Sequence, residues 1–142
     1  MVENALESSD KKVDFRFVPD MIFTNPSIAT VGLTEQQARN QVYDVKISIQ
    51  PLENVPRVLE KRETSGVFKL VVDHQSGKIL WAHVMAGNAG GVIYSATLAI
   101  QFGLTADDLK VLMAPYLTIA VGFKLAAITL DKDGSKVSRY AG

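Results

Sequence analysis

The sequence predicts an α+β fold, an antiparallel β-sheet with helices packed on one face. Three observations carry that expectation. Extended segments come first in the chain, several with a two-residue apolar alternation. Short turn-forming runs join them, which suits antiparallel neighbours. The apolar period lengthens to that of a helix only after Met85, so the helices gather toward the end.

Each element has its own signal. Val2 to Leu6 is a short helical fragment and Glu7 to Lys12 a polar linker, so residues 1–14 look like the tail of something preceding, with a single domain over 15–142. Phe17 to Thr24 reads as a strand with Pro19 near its start, where a missing N–H is tolerated. Asn25-Pro26-Ser27 is a turn, and Ile28 to Gly32 a second extended piece. Thr34-Glu35-Gln36-Gln37 matches a capping box and opens a helix to about Gln41. Tyr43 to Gln50 alternates as a half-buried strand, with Val45, Ile47 and Ile49 on one face and Lys46, Ser48 and Gln50 on the other. Pro51 to Glu63 is a polar connection with room for one helical turn. Val67–Val72 and Lys78–Met85 flank the turn-forming run Asp73 to Gly77 and form the clearest hairpin. Asn88 is placed to cap a helix from Ala89 to Phe102, ended by Gly103. Thr105-Ala106-Asp107-Asp108 opens another short helix, and a last one is expected over Thr118–Leu130.

Composition narrows the function. The chain has 142 residues, enough for one self-sufficient core. Lys plus Arg and Asp plus Glu number 15 each, so no basic footprint exists for nucleic acid or an anionic membrane. Zero net charge at 47% apolar content favours self-association. The absence of cysteine removes disulfides, thiolate metal sites and cysteine nucleophiles together. No stretch reads as a membrane span or a secretion signal, and a cytoplasmic location is expected.

The residues that could carry chemistry mostly have a plainer reading. Of the two histidines, His74 sits at the hairpin tip and His83 within a strand, neither near another His or any Cys, so no metal is expected. Gly87-Asn88-Ala89-Gly90-Gly91 places glycines before a helix, as in half a phosphate-binding loop. It lacks the Walker lysine, the Gly-x-Gly-x-x-Gly spacing and a βαβ unit, and reads better as a strand-to-helix turn. No Gly-x-Ser-x-Gly elbow occurs. Asp107 and Asp108 fit the first turn of a helix, where negative charge is favourable.

The two long helices are more informative. Gly90 to Phe102 carries no charge, and Thr118 to Leu130 carries only Lys124. A surface helix should show one polar face, so both are expected to be covered on several sides, by a second subunit or domain as well as their own core. That makes Val92, Ile93, Ala96, Pro115, Ile119, Phe123, Ala126 and Ala127 the candidate seam.

Several stretches together resemble a known family. Ile22-Phe23-Thr24-Asn25-Pro26-Ser27-Ile28-Ala29-Thr30-Val31-Gly32-Leu33-Thr34-Glu35-Gln36-Gln37-Ala38 is similar to the opening of the C-terminal dimerisation domain of FAD-dependent pyridine nucleotide-disulfide oxidoreductases. Gly87 to Ile93, Ala99-Ile100 and Gly103 to Leu109 continue the pattern. Pro115-Tyr116-Leu117-Thr118, Gly122 to Ala127 and the terminal Ala141-Gly142 narrow the resemblance to the mercuric reductases within it, and Val2 to Leu6 is similar to the end of a preceding FAD-binding domain.

The resemblance implies a homodimer and, for a longer parent, FAD and NAD(P)H held on domains this chain lacks, with no cofactor here. Most of the wider family carries a His after the proline; Tyr116 stands there, as in mercuric reductases, and the resemblance places it beside the partner subunit's active site. A buried tyrosine with one hydrogen bond is the plainer alternative. Val121 and Gly91 stand where the family carries Glu, and Arg139-Tyr140 where mercuric reductases carry two cysteines. Guanidinium and phenol are no substitute for thiolate toward a soft metal. The expected role is therefore a dimerisation domain that completes a neighbour's active site and performs no catalysis alone. A freestanding interaction or regulatory module is the alternative, and metal binding by Tyr116, His83 and carboxylates is a third reading.

Overall fold

The computed structural model describes residue 12 and residues 14–131. The helical fragment expected over Val2–Leu6, most of the linker and the Arg139-Tyr140 pair lie outside the described residues. The fold is the expected α+β one. Five strands form one antiparallel sheet: β1 (Asp20–Ile22), β2 (Ser27–Gly32), β3 (Val45–Pro51), β4 (Val67–Asp73) and β5 (Ile79–Ala86), in the order β1-β2-β5-β4-β3.

The connections follow local chemistry. The β1–β2 turn passes through a cis Asn25–Pro26 peptide, and Thr24 Oγ1 donates to the Pro26 carbonyl at 2.8 Å. After β2 the chain enters α1 (Glu35–Asn40) through the expected capping box: the Gln37 amide donates to Thr34 Oγ1, and Gln37 Oε1 accepts from the Thr34 amide at 2.9 Å. Gly32 precedes this helix at φ +93°, with its Cα so close to the Leu80 carbonyl that a Cβ has no room. The connection after β3 is more ordered than expected, with a 3-10 turn over Leu52–Asn54 and α2 (Pro56–Lys61), and Leu52, Val55 and Val58 join the core. The β4–β5 turn closes on Asp73, whose carboxylate accepts from the Ser76 amide at 3.1 Å and from the Ser76 hydroxyl.

The helical half is α3 (Ala89–Gln101), α4 (Ala106–Val111) and α5 (Val121–Ile128). Helix α3 packs on β2 and β5, α5 packs on β3 and β4, and α4 packs against α5. The core lies between sheet and helices. Phe68 and Leu70 on β4, Ala82 and Val84 on β5 and Ala29 and Val31 on β2 face Val92, Ile93, Ala96, Phe123, Ala126 and Ala127. Burying Phe68 or Leu70 contributes about 1.5–3 kcal/mol each before chain entropy is charged, and the Phe68 and Phe123 rings meet edge to face at 4.9 Å.

Two expectations need correction, and the facing of a third element is decided. The first strand is shorter than Phe17–Thr24: Phe15–Phe17 is a 3-10 turn begun by Asp14, whose carboxylate accepts from the Arg16 amide, and only Asp20–Ile22 pairs. The last helix begins at Val121, not Thr118, and ends at Ile128; the chain leaves a left-handed Leu117 at φ +57° and passes through turns before the helix starts. Strand β3 buries its polar face. Ser48 and Gln50 are buried and Ile49 is 54% exposed, since Ser48 and Gln50 point at α5, where the Thr129 hydroxyl lies 3.1 Å from Ser48 Oγ. The same Thr129 hydroxyl lies 3.0 Å from the Leu125 carbonyl and 3.4 Å from Gln50 Oε1, so it ties the polar side of β3 to the end of α5. The alternation is real, but its buried side is the polar one.

Candidate functional site

The interface expectation rested on helices too apolar for one core to bury. The structure buries most of that apolarity within the chain. Val92, Ile93 and Ala96 turn α3 onto β2 and β5, while Phe123, Ala126 and Ala127 turn α5 onto β3 and β4. All six are at most 4% exposed, so they offer almost no surface to a partner. The reason is geometric: α3 lies on small residues of β2 and β5 (Ala29, Ala82, Ala86) and α5 on Phe68 and Leu70 of β4, so each buries its inner face without a second subunit. Pro115 and Ile119 alone among the eight retain appreciable surface, Pro115 being exposed and Ile119 half-buried.

Between α3 and the α4–α5 connection lies an apolar groove of about 310 Å³. Leu98 and Ser95 of α3 form one wall, Leu109, Leu112 and Met113 the other, with Phe123 at its base and Pro115 and Ala120 at its end. Tyr94, Val111 and Tyr116, each next in sequence to a lining residue, are exposed, and Met113 in the wall is 91% exposed. Leu112, Met113 and Val111 were not singled out from the sequence. Their signal was available: three consecutive apolar residues that close a capped helix and run past its end, outside any strand.

Local chemistry positions this groove. Thr105 caps α4, the Thr105 amide and hydroxyl donating to Asp108 Oδ2 at 2.8 and 2.7 Å. These bonds hold the Asp108 carboxyl below its ordinary value, the backbone N–H contributing most. The Asp107-Asp108 pair is thus a helix start. Tyr116 lies in the α4–α5 connection at 83% exposure, which removes the alternative of a buried tyrosine with one hydrogen bond.

The other candidates separate in space. His83 lies on the face of the sheet away from the helices, in register with Lys69 and Thr30. Burial, with Lys69 adding a smaller effect, pulls its imidazole below the usual histidine value. Its neighbour Trp81 donates Nε1–H to Thr30 Oγ1, and Lys69 Nζ sits 5.3 Å from the Trp81 ring centre and 3.1 Å from Glu35 Oε2. Tyr116 belongs to the helical layer on the opposite side, so the two cannot share a ligand. His74 Nδ1 pairs with Asp44 Oδ2 at 2.9 Å on the hairpin tip. Among the described residues, no three His, Cys, Asp or Glu side chains converge as a metal site would require.

The glycine-rich entry to α3 does not fit a nucleotide phosphate. The Asn88 side chain folds over Gly91, and a Cβ on Gly91 would come 2.9 Å from it. Gly90 abuts Met21 Sδ, where a Cβ would fall at 2.6 Å, and the Ala89 amide donates to Ser27 Oγ at 3.3 Å. A phosphate would need those amides open and that space free. No described helix is long and apolar enough to cross a membrane.

Against known proteins, the chain matches the family described as pyridine nucleotide-disulphide oxidoreductase, dimerisation domain, over residues 18–127. It is 60% identical over 142 residues to a mercuric reductase of Staphylococcus aureus, covering 100% of this chain and 26% of that protein. It is 44% identical over 142 residues to a mercuric reductase of Streptomyces lividans, covering 100% of this chain and 30% of that protein. The chain therefore spans between a quarter and a third of these curated relatives. Among solved structures, the Cu(II) complex of the HOCl-induced flavoprotein disulfide reductase RclA of Escherichia coli superposes with TM-score 0.83 at 23% identity, over 90% of this chain and 29% of that one. LpdA of Mycobacterium tuberculosis superposes with TM-score 0.82 at 23% identity, over 90% of this chain and 28% of that one.

Proposed function

Since the chain belongs to the pyridine nucleotide-disulphide oxidoreductase dimerisation-domain family, we propose that a second copy covers the groove between α3 and the α4–α5 connection. The supporting observation is the exposed apolar run Val111-Leu112-Met113 beside Leu98, on a chain with no net charge to keep copies apart. Pro115 and Ile119 belong to this seam. Val92, Ile93, Ala96, Phe123, Ala126 and Ala127 back it from beneath, fixing both helices to the sheet so that the outer faces arrive preorganised.

In this reading the chain is the association domain of a longer, mercuric-reductase-like, cytoplasmic oxidoreductase. FAD and NAD(P)H would sit on residues outside this chain, whose own glycine-rich loop is closed to a phosphate. The chain's contribution to chemistry is Tyr116. Its phenol, held outward beside the seam, can donate or accept one hydrogen bond within the neighbouring subunit's active site. No partner other than the second copy and the parent's remaining domains is required; neither nucleic acid nor membrane is.

Sedimentation equilibrium across a concentration series tests the seam. A 15.5 kDa chain is expected to rise toward twice that mass. Met113→Asp should hold it at the monomer, and Ile49→Asp on the opposite face of the sheet should leave the rise unchanged. A monomer at every concentration, or dissociation by the Ile49 variant alone, would overturn the reading. Stoichiometric FAD on the purified chain would overturn the placement of the cofactor.

A further inference from the structure

Met113 and Tyr116 hold apolar surface toward water in a connection that is neither helix nor strand. A surface connection of that kind is ordinarily polar and mobile. This one is tied at two points. Lys124, reaching from α5, donates Nζ–H to the Leu112 carbonyl at 2.9 Å. Thr118 Oγ1 donates to the Pro115 carbonyl at 2.8 Å. Leu112 is the residue that ends α4, where terminal carbonyls lack partners within the helix and a cation is favoured.

Lys124 is the sole charged residue of α5 and, among the described residues, the sole charged side chain lining the groove. A half-buried lysine on the outer side of a helix can send its ammonium into bulk water with little restraint. Here its stem lies along the groove and its head is spent on a neighbour's backbone. Leu117, just beyond Tyr116, adopts φ +57°, a conformation leucine ordinarily avoids, so surrounding contacts must hold the segment in place.

We propose that Lys124 is a positioning residue for self-association: its bond to the Leu112 carbonyl presets the 112–117 segment in the shape a second copy meets. Without the tie the segment would be ordered only on binding, and that ordering would weaken the complex. The proposal rests on the reading that the groove is the seam, and the test separates the two.

The dissociation constant of the full chain is measured by sedimentation for wild type, Lys124→Met, Lys124→Arg and Thr118→Val, with amide hydrogen exchange followed over residues 113–117 and over β4 and β5. Lys124→Met keeps the apolar stem and is expected to weaken dimerisation about tenfold. Lys124→Arg restores a donor and should recover most of the loss. Exchange over 113–117 should quicken in the Met variant while the strands stay protected, an outcome a general structural role would not give. If wild type dimerises and Lys124→Met does so equally well, the proposal is overturned while the seam stands. If wild type never dimerises, both are overturned. Should Lys124→Met fail to fold, Thr118→Val removes the other tie and reads the same constant: weaker association supports the preset segment, and no change overturns it.

Discussion

Adding one methyl group to Gly122 tests whether α5 rests on the sheet as the fold requires. Gly122 is fully covered, and an ideal Cβ there would lie 2.6 Å from Phe68 Cδ2 and nearer still to Cε2 and Cζ. Ordinary carbon contacts need about 3.5–4.0 Å, so helix and ring must separate by roughly 1 Å or more. The Phe68 ring has no free direction: the residue is 0% exposed and locked edge to face against Phe123. Overpacking of this kind costs about 1–3 kcal/mol, and three close ring atoms put this site at the upper end. Against it stands a gain of about 1 kcal/mol from replacing glycine in a helix.

The net expectation for Gly122→Ala is a loss of about 2 kcal/mol, read as a lower urea midpoint at unchanged slope. Gly91→Ala is the matched control. It occupies the first turn of α3, and the atoms a Cβ would meet belong to the exposed Asn88 side chain, which can swing away. That variant should be neutral or more stable by up to about 1 kcal/mol. If Gly122→Ala equalled or exceeded wild type while the slope held, α5 would not be seated on Phe68 and the argument that the sheet buries its inner face would fail.

Thr129→Val removes the hydroxyl that shares a buried hydrogen bond with Ser48. Leaving Ser48 without that partner should cost about 1–3 kcal/mol in chemical denaturation, and a change within 0.3 kcal/mol, roughly the additivity error of such measurements, would contradict the shared bond. His83 carries a lowered imidazole pKa from burial and from Lys69. The folded state therefore binds fewer protons than the unfolded one below the free value of about 6.5. Its contribution is full above that pH and declines as pH falls through the lower folded value. Wild type should lose stability from pH 7 toward pH 5, His83→Gln should lose less across that interval, and parallel profiles would refute the assignment.

Much of the local structure could be read from residue order. Both capping boxes formed as their spacing required, Thr34 with Gln37 and Thr105 with Asp108, because a cap is a bargain among four neighbouring residues. The β4–β5 hairpin and the end of α3 near Gly103 have the same local origin. The helix expected from Thr118 starts instead at Val121, for a reason sequence period cannot carry. The chain must travel from α4 to the sheet, and a left-handed Leu117 makes that corner.

The family resemblance was legible as well, since it is a property of residue order over most of the chain. The candidate seam was legible only in its existence. Apolar helices announce that something covers them, but burial is a relation between surfaces distant in sequence. Val92 and Phe123 met the chain's own sheet, and Met113, in an apolar run that drew no notice, was left outward.

Strand β3 states the division most sharply. Alternation alone established that Val45, Ile47 and Ile49 share one side and Lys46, Ser48 and Gln50 the other. Which side faces inward was decided by α5, some eighty residues later, where the Thr129 hydroxyl meets Ser48. A two-residue period fixes a partition of side chains with no sign attached, and the sign comes from the partner that tertiary structure lays against the strand.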